Sequence, residues 1–275
     1  MPKESPKVVL AIAGFDPSSG AGITADLKTI AAHGLYGVSC STALTVQTTQ
    51  GVQRSENVPP KLVRDTLEAL IHDTPPAAVK IGMLGSGKVA GEIARFLKAN
   101  LLQNVVLDTV LRSSSGAELL DKAGFQILRE ELLTIVDLIT PNLQEASALT
   151  GLAVRDEAEM ERACQELMKL GANNVVVKGG HLAQPVDLLA TRSSDGKPIF
   201  QRFQNEKVKT RNTHGTGCAY STAIACNLAI GRSLNGEDGA VLHARNYVAS
   251  ALREAYDVGR GTGPINHFPI STRRV

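Results

Sequence analysis

Residues 8–33 read VVLAIAGFDPSSGAGITADLKTIAAH. Residues 8–13 are an unbroken apolar run, too short for a helix and rich in β-branched side chains. Such a run predicts a strand buried on both faces. Gly14, Asp16, Pro17 and the serines and glycines after them break the pattern and predict a loop. From residue 22 to 33 the spacing turns helical. Strand, loop and helix in that order form the unit from which parallel sheets are built.

The same unit recurs outward from this stretch. The pattern predicts further strands at 38–46, 78–81, 105–107, 136–139 and 175–177. It predicts helices at 61–72, 88–101, 117–133, 145–149 and 157–170. Runs at 186–190 and 199–203 flank Ser193-Ser194-Asp195-Gly196, a hairpin signal. Helices at 216–230 and 237–256 close the chain. The expectation is an α/β fold with a mostly parallel sheet covered on both faces, in one domain over 1–275, with 1–7 a loose N-terminal segment. Ligands of such sheets bind beyond the carboxyl ends of the strands.

Composition narrows the function. The 275 residues carry a net charge of +2 with no basic block, so nucleic acid is not expected as a partner. There is no Trp, and four Tyr and six Phe are too few for a base-stacking platform. The apolar run at 8–13 is too short for a signal core or a membrane span, so no membrane partner and a cytoplasmic location are expected. Cys40, Cys164, Cys218 and Cys226 form no C-x-x-C pair and no ligand cluster.

The strand ends carry the chemistry. Thr213-His214-Gly215-Thr216-Gly217-Cys218 opens the predicted helix at 216–230. Glycines before a helix free backbone N–H groups to face an anion, and the helix dipole adds to that field. Cys218 sits where a thiol pKa is most easily lowered. Asp108 follows an apolar run and suits either magnesium or a loop cap. Asn142 and Glu145 share one helical face and suit either a ligand role or a capping box. Lys178 precedes two glycines and suits a phosphate contact or a snorkelling surface lysine. His181 and His214 lie near these loops without a metal-ligand partner at helical spacing.

Two nucleotide signals nearly form. Gly20-Ala21-Gly22-Ile23-Thr24-Ala25 fits G-x-G-x-x-A, but Asp16-Pro17-Ser18-Ser19 separates it from the strand. The next strand also ends in Gln47 rather than an acid. Residues 82–89 resemble a P-loop, but Val89 stands where a hydroxyl must bind magnesium.

Taken together, AIAGFDPSSGAGITADLKT, STALTVQTTQGV, KIGMLGSGKV, NVVLDTVLRSSSG, LITPNLQEASAL, VVVKGGH and NTHGTGC resemble one family, in this order, from residue 8 to about 268. It is the hydroxymethylpyrimidine/phosphomethylpyrimidine kinases of thiamin biosynthesis, in the ribokinase-like superfamily. The resemblance implies a three-layer α/β/α sandwich, a homodimer, and use of ATP with Mg2+. It implies phosphorylation of 4-amino-5-hydroxymethyl-2-methylpyrimidine and then of its monophosphate. It implies that Gly14, Asp26, Gln47 and Met83 line the pyrimidine pocket. The amide of Gln47 suits this, since it both donates to and accepts from an aminopyrimidine edge. By the same resemblance Asp108 and Glu145 serve magnesium, and Lys178, Asn142 and Thr213 serve ATP. Gly215, Thr216, Gly217 and Cys218 form the anion hole, with Cys218 where most ribokinase relatives carry an Asp base. Ser114 and Arg260 stand where the family often has lysines. Pyridoxal kinase is the nearest alternative. A non-catalytic pyrimidine-binding sensor is the alternative of another class.

Overall fold

In the computed structural model the described residues are 5–270, apart from His181, Ser194, Asn205 and Glu206. Residues 1–4, which hold most of the expected loose segment, lie outside the described residues, as do His181 and the Ser194 of the hairpin signal. Lys7 is anchored, since its carbonyl accepts the Tyr36 N–H at 3.0 Å.

The strands are β1 (Val8–Phe15), β2 (Tyr36–Thr48), β3 (Gly51–Asn57), β4 (Ala78–Ile81), β5 (Val105–Leu107), β6 (Leu138–Ile139), β7 (Val175–Gly179), β8 (Val186–Arg192) and β9 (Pro198–Gln204). The helices are α1 (Gly22–Ala32), α2 (Pro60–Asp73), α3 (Gly87–Ala99), α4 (Lys122–Ile127), α5 (Leu133–Ile135), α6 (Leu143–Thr150), α7 (Glu157–Lys169), α8 (Thr216–Ala229) and α9 (Ala240–Arg253). All nine strands join one sheet in the order β3-β2-β1-β4-β5-β6-β7-β8-β9. Strands β2, β1, β4, β5, β6 and β7 run parallel, and β3, β8 and β9 add antiparallel edges.

Period-two alternation divides the core. Leu10, Ile12, Val79, Ile81 and Val105 turn toward Val63 of α2, Val89 of α3, Leu149 of α6 and Met160 of α7. Val9, Ala11, Ala78 and Val106 turn the other way, against Ile30 of α1, Ile224 of α8 and Ala244 of α9. The result is a three-layer sandwich, as expected. Helix α8 is buried at every position from Ala219 to Ala229, because its small residues let it sink between the sheet, α1 and α9.

Some predicted boundaries moved. The helix expected at 117–133 starts only at Lys122, where Asp121 accepts the Gly124 N–H and caps it. A π-turn at Leu128–Leu132 then separates α4 from α5. Strand β3 was not predicted: its residues are exposed and polar, and pairing with β2 rather than burial makes it a strand. The last long helix begins at Ala240 instead of 237, after Gly236 and Gly239.

Candidate active site

The parallel strands all deliver their carboxyl ends to one rim, and the turn into α8 closes that rim. Gly215 is the N-cap of α8 at φ 82°, a left-handed conformation. A Cβ there would lie 1.8 Å from the Gly20 carbonyl oxygen, so the two loops touch backbone to backbone. No side chain caps the helix, which leaves its first N–H groups without an intrahelical partner. A Cβ on Gly217 would sit 3.6 Å from Lys178 Nζ and 3.8 Å from Asp108 Oδ2. The uncapped turn therefore looks directly at a lysine and a carboxylate.

Those two groups form an ion pair. Lys178 Nζ donates to Asp108 Oδ1 at 2.7 Å, and Thr140 Oγ1 donates to the same oxygen at 3.2 Å. Burial alone would push the Asp108 carboxyl up, but Lys178 and Lys80 outweigh it and hold it below the usual range. Burial would likewise lower Lys178, yet Asp108 and Glu145 raise it, so it stays charged. Beside them, Asn142 and Glu145 form the capping box of α6: Glu145 N donates to Asn142 Oδ1 at 2.9 Å, and Asn142 N donates to Glu145 Oε2 at 2.8 Å. Thr109 Oγ1 also donates to Glu145 Oε2, at 3.1 Å. Burial, reinforced by Asp108, pushes the Glu145 carboxyl up to about 7 despite Lys178.

On the other side of the turn lies a second cluster. Asp16 Oδ1 accepts Ser18 N at 2.8 Å and Ser18 Oγ at 2.7 Å, and Asp16 Oδ2 accepts Ala21 N at 2.9 Å. His214 Nε2 lies 2.9 Å from Asp16 Oδ2, and the Gln47 amide nitrogen is set 3.2 Å from the same ring nitrogen. Gly14 and Met83 meet closely: a Cβ on Gly14 would reach 2.7 Å from the Met83 sulfur. Thr42 Oγ1 donates to the Met83 carbonyl at 2.5 Å and fixes that segment.

Cys218, partly exposed, follows Gly217 in the first turn of α8. Burial pushes its thiol up to about 11, with Lys80 pulling it down and Asp26 and Asp108 adding to the rise. The thiol lowered by a helix terminus is therefore not what the structure holds; burial raises it instead.

Comparison with known proteins follows the same lines. The family model for phosphomethylpyrimidine kinase matches residues 16–266. The chain belongs to the phosphomethylpyrimidine kinase family. A hydroxymethylpyrimidine/phosphomethylpyrimidine kinase of Haemophilus influenzae is 40% identical over 272 residues, covering 96% of this chain and 98% of that one. The thiamine biosynthesis bifunctional protein ThiED of Geobacter sulfurreducens is 44% identical over 262 residues, and the match spans 94% of this chain but 52% of that protein. Among solved structures, phosphomethylpyrimidine kinase of Clostridium difficile superimposes with a TM-score of 0.77 at 38% identity, covering 90% of this chain and 99% of that one. An ADP complex of Bacillus subtilis pyridoxal kinase gives a TM-score of 0.87 at 30% identity, covering 98% of this chain and all 100% of that one. The fold is that of these ribokinase-like kinases.

Within this family frame, most of the expected residues converge on the rim. Gly217, Lys178, Asp108, Asn142 and Glu145 surround one end of the turn, and His214, Gln47, Gly14 and Met83 the other. Thr213 contributes its carbonyl, which accepts Thr216 N at 3.2 Å and Thr216 Oγ1 at 2.7 Å, while its side chain is exposed. Asp26 needs correction. It has no exposed surface, and its carboxylate is taken by Lys80 Nζ at 2.8 and 2.9 Å and Thr222 Oγ1 at 2.8 Å. It sits beneath the pocket, not on its wall.

Lys80 was missed. In the run Ala78-Val79-Lys80-Ile81 it read as part of an apolar strand. Alternation turns it toward α1 and α8 with Ala78, where it finds Asp26. The signal was available: a charged residue inside a buried strand demands a buried counter-charge, and Asp26 lies in the first helix, two strand–helix units earlier. His214 and Asp16 were seen in their loops but given no role, because nothing local pairs residues so distant in sequence.

Proposed function

We propose that the chain transfers the γ-phosphoryl group of ATP to the hydroxymethyl oxygen of 4-amino-5-hydroxymethyl-2-methylpyrimidine, and then a second phosphoryl group to the monophosphate. The observation that carries this reading is the uncapped Gly215–Cys218 turn facing the Lys178–Asp108 pair on one side and the Gln47 amide on the other. Backbone N–H groups of Gly217 and Cys218 take up negative charge on the transferred group. Lys178 exchanges Asp108 for a phosphate oxygen. Asn142 orients the nucleotide phosphates from the start of α6.

Asp108 and Glu145 fit magnesium. They are hard oxygen donors, and among the described residues no third acid, histidine or cysteine completes a metal site with them. Magnesium is held in this way, by one or two carboxylates with phosphate oxygens and water filling the rest. Held by Asp108 and Glu145, it would offset the negative charge of the nucleotide phosphates. The Cys218 thiol rests protonated, so it can take the hydroxyl proton only as it passes its own on to water or a phosphate oxygen; a loose phosphoryl-transfer transition state asks little of a base.

The reading includes a single domain, a homodimer and a cytoplasmic location. Leu44 and Val46, exposed on β2, and four unbridged cysteines support the last two. Pyridoxal kinase is the second reading, favoured by the TM-score of 0.87 with the Bacillus subtilis enzyme. The deciding experiment is a phosphorylation assay with the pyrimidine alcohol, its monophosphate and pyridoxal as separate acceptors. Turnover of both pyrimidines ahead of pyridoxal is expected. Preference for pyridoxal overturns the substrate, and pyrimidine binding without ATP consumption overturns the enzyme in favour of a sensor.

A further inference from the structure

We propose that His214, held by Asp16, fixes which way the Gln47 amide faces and so sets the donor–acceptor order that the pocket presents to the heterocycle. The proposal rests on the pyrimidine-kinase reading above. It follows from counting protons. Asp16 already accepts from Ser18 N, Ser18 Oγ and Ala21 N, all at 2.9 Å or less, so it is an ionised acceptor. His214 Nε2, 2.9 Å from Asp16 Oδ2, must therefore carry the proton and donate it. The Gln47 end atom 3.2 Å from that nitrogen then faces a donor. An amide nitrogen there would set two donors against each other, and an amide oxygen removes the conflict.

The far end of the amide agrees. It lies 3.2 Å from Thr45 Oγ1, whose single proton already goes to the Phe15 carbonyl at 2.9 Å. With the amide nitrogen on this side, Thr45 accepts one amide N–H and the other is left to face the heterocycle. Packing holds the imidazole in this place. A Cβ on Gly20 would lie 2.2 Å from His214 Cδ2, so the loop backbone is packed on the ring. The His214 backbone is also tied down, its N–H donating to the Gly263 carbonyl at 3.0 Å.

The order along the rim is therefore amide N–H beside Thr45, amide oxygen beside His214, then the Gly215 turn. A 4-aminopyrimidine with a 5-hydroxymethyl group presents ring nitrogen acceptor, amino donor and hydroxymethyl in the same order. Pairing both with the amide directs the hydroxymethyl toward Gly215–Cys218. The 4-oxo analogue, in its N3–H lactam form, presents donor then acceptor and meets the amide reversed. His214 is thus a positioning residue for specificity, acting through Gln47.

The test compares kcat/KM for 5-hydroxymethyl-2-methylpyrimidine bearing a 4-amino or a 4-oxo group, in wild type and His214→Phe. Phe keeps the ring volume against Gly20 and loses the donor. The amino-over-oxo preference should fall at least roughly tenfold, through KM for the pyrimidine and with KM for ATP unchanged. A preference unchanged by the substitution overturns the proposal, since a merely structural role lowers both substrates together. A second measurement needs no variant. In 15N-histidine-labelled wild type, the proton should reside on His214 Nε2; a bare Nε2 overturns the arrangement. If neither pyrimidine is phosphorylated, the kinase reading fails, and the 15N result still decides the orientation of the amide.

Discussion

Two lysine–aspartate pairs stand on parallel strands of one sheet, with two further strands between them. Lys80 of β4 meets Asp26 at 2.8 Å, and Lys178 of β7 meets Asp108 at 2.7 Å. The chemistry and the distances match. Access does not. Both side chains of the first pair are 0% exposed, whereas Lys178 retains 15% exposure and Asp108 3%. The first pair is also closed by Thr222 of α8, so it ties sheet, α1 and α8 into one block. Its charges can shape the field at Cys218 and Asp108 but cannot touch a ligand. The second pair opens onto Gly217, so each partner can exchange the other for phosphate or metal. Solvent access, not residue type, separates the sealed pair from the one proposed to meet ligand.

The sealed pair should show the largest effect. Lys80→Met leaves a buried carboxylate without its counter-charge, and breaking such a pair costs about 3–5 kcal/mol. Urea unfolding should show that loss, and Lys80→Met with Asp26→Leu should recover most of it, because an apolar pair of similar volume replaces both charges. If Lys80→Met unfolds no more easily than wild type, the pair is not the tie described. The open pair comes next. Lys178→Met should lower kcat/KM for ATP by about 10²–10³, the range for losing one preorganised charge donor, with a stability loss well below that of Lys80→Met. A reversed ranking of the two stability losses would break the comparison.

The two pairs also differ in how far the sequence revealed them. Asp108 and Lys178 each follow a readable strand and precede a break, so their place at the rim was visible from strand ends alone. The capping box at Asn142 and Glu145 was visible too, because its partners are three residues apart. Both of its candidate readings, cap and site residue, are compatible in one geometry. Asp26 and Lys80 were hidden for a physical reason. Their pairing spans 54 residues and depends on which face of β4 meets α1, which spacing within either element does not state. The same holds for His214 and Asp16, 198 residues apart. The uncapped turn before α8 was legible as backbone, but the raised Cys218 thiol was not, because a helix start is written in the local sequence and desolvation is not. Strand β3 escaped because edge pairing needs no apolar pattern.

The smallest effect concerns the acid beside the open pair. Burial pushes the Glu145 carboxyl from its ordinary 4.5 up to about 7. Between those values the folded chain holds a proton that the unfolded chain has released, so stability falls as pH rises through the window. The contribution is on the order of 2 kcal/mol, because a tenfold change in proton affinity is worth about 1.4 kcal/mol and the neighbouring Lys178 charge shares the site. Asp108 works in the opposite sense, but its window lies below its ordinary 3.8 and does not overlap. His267 does overlap: burial lowers it from 6.5 to about 4, which makes stability rise with pH across that range. The difference between wild type and Glu145→Gln removes the His267 contribution, since both proteins carry it. Measured by urea unfolding without nucleotide or metal, the wild-type stability relative to Glu145→Gln should decline from about pH 5 to about pH 7.5. With magnesium and ATP present, a cation at Asp108 and Glu145 favours the ionised carboxyl, and the decline should flatten. A flat difference in the ligand-free proteins would mean that Glu145 is already ionised by Lys178, and would move it from the proton-holding side of the site to the side of Asp108.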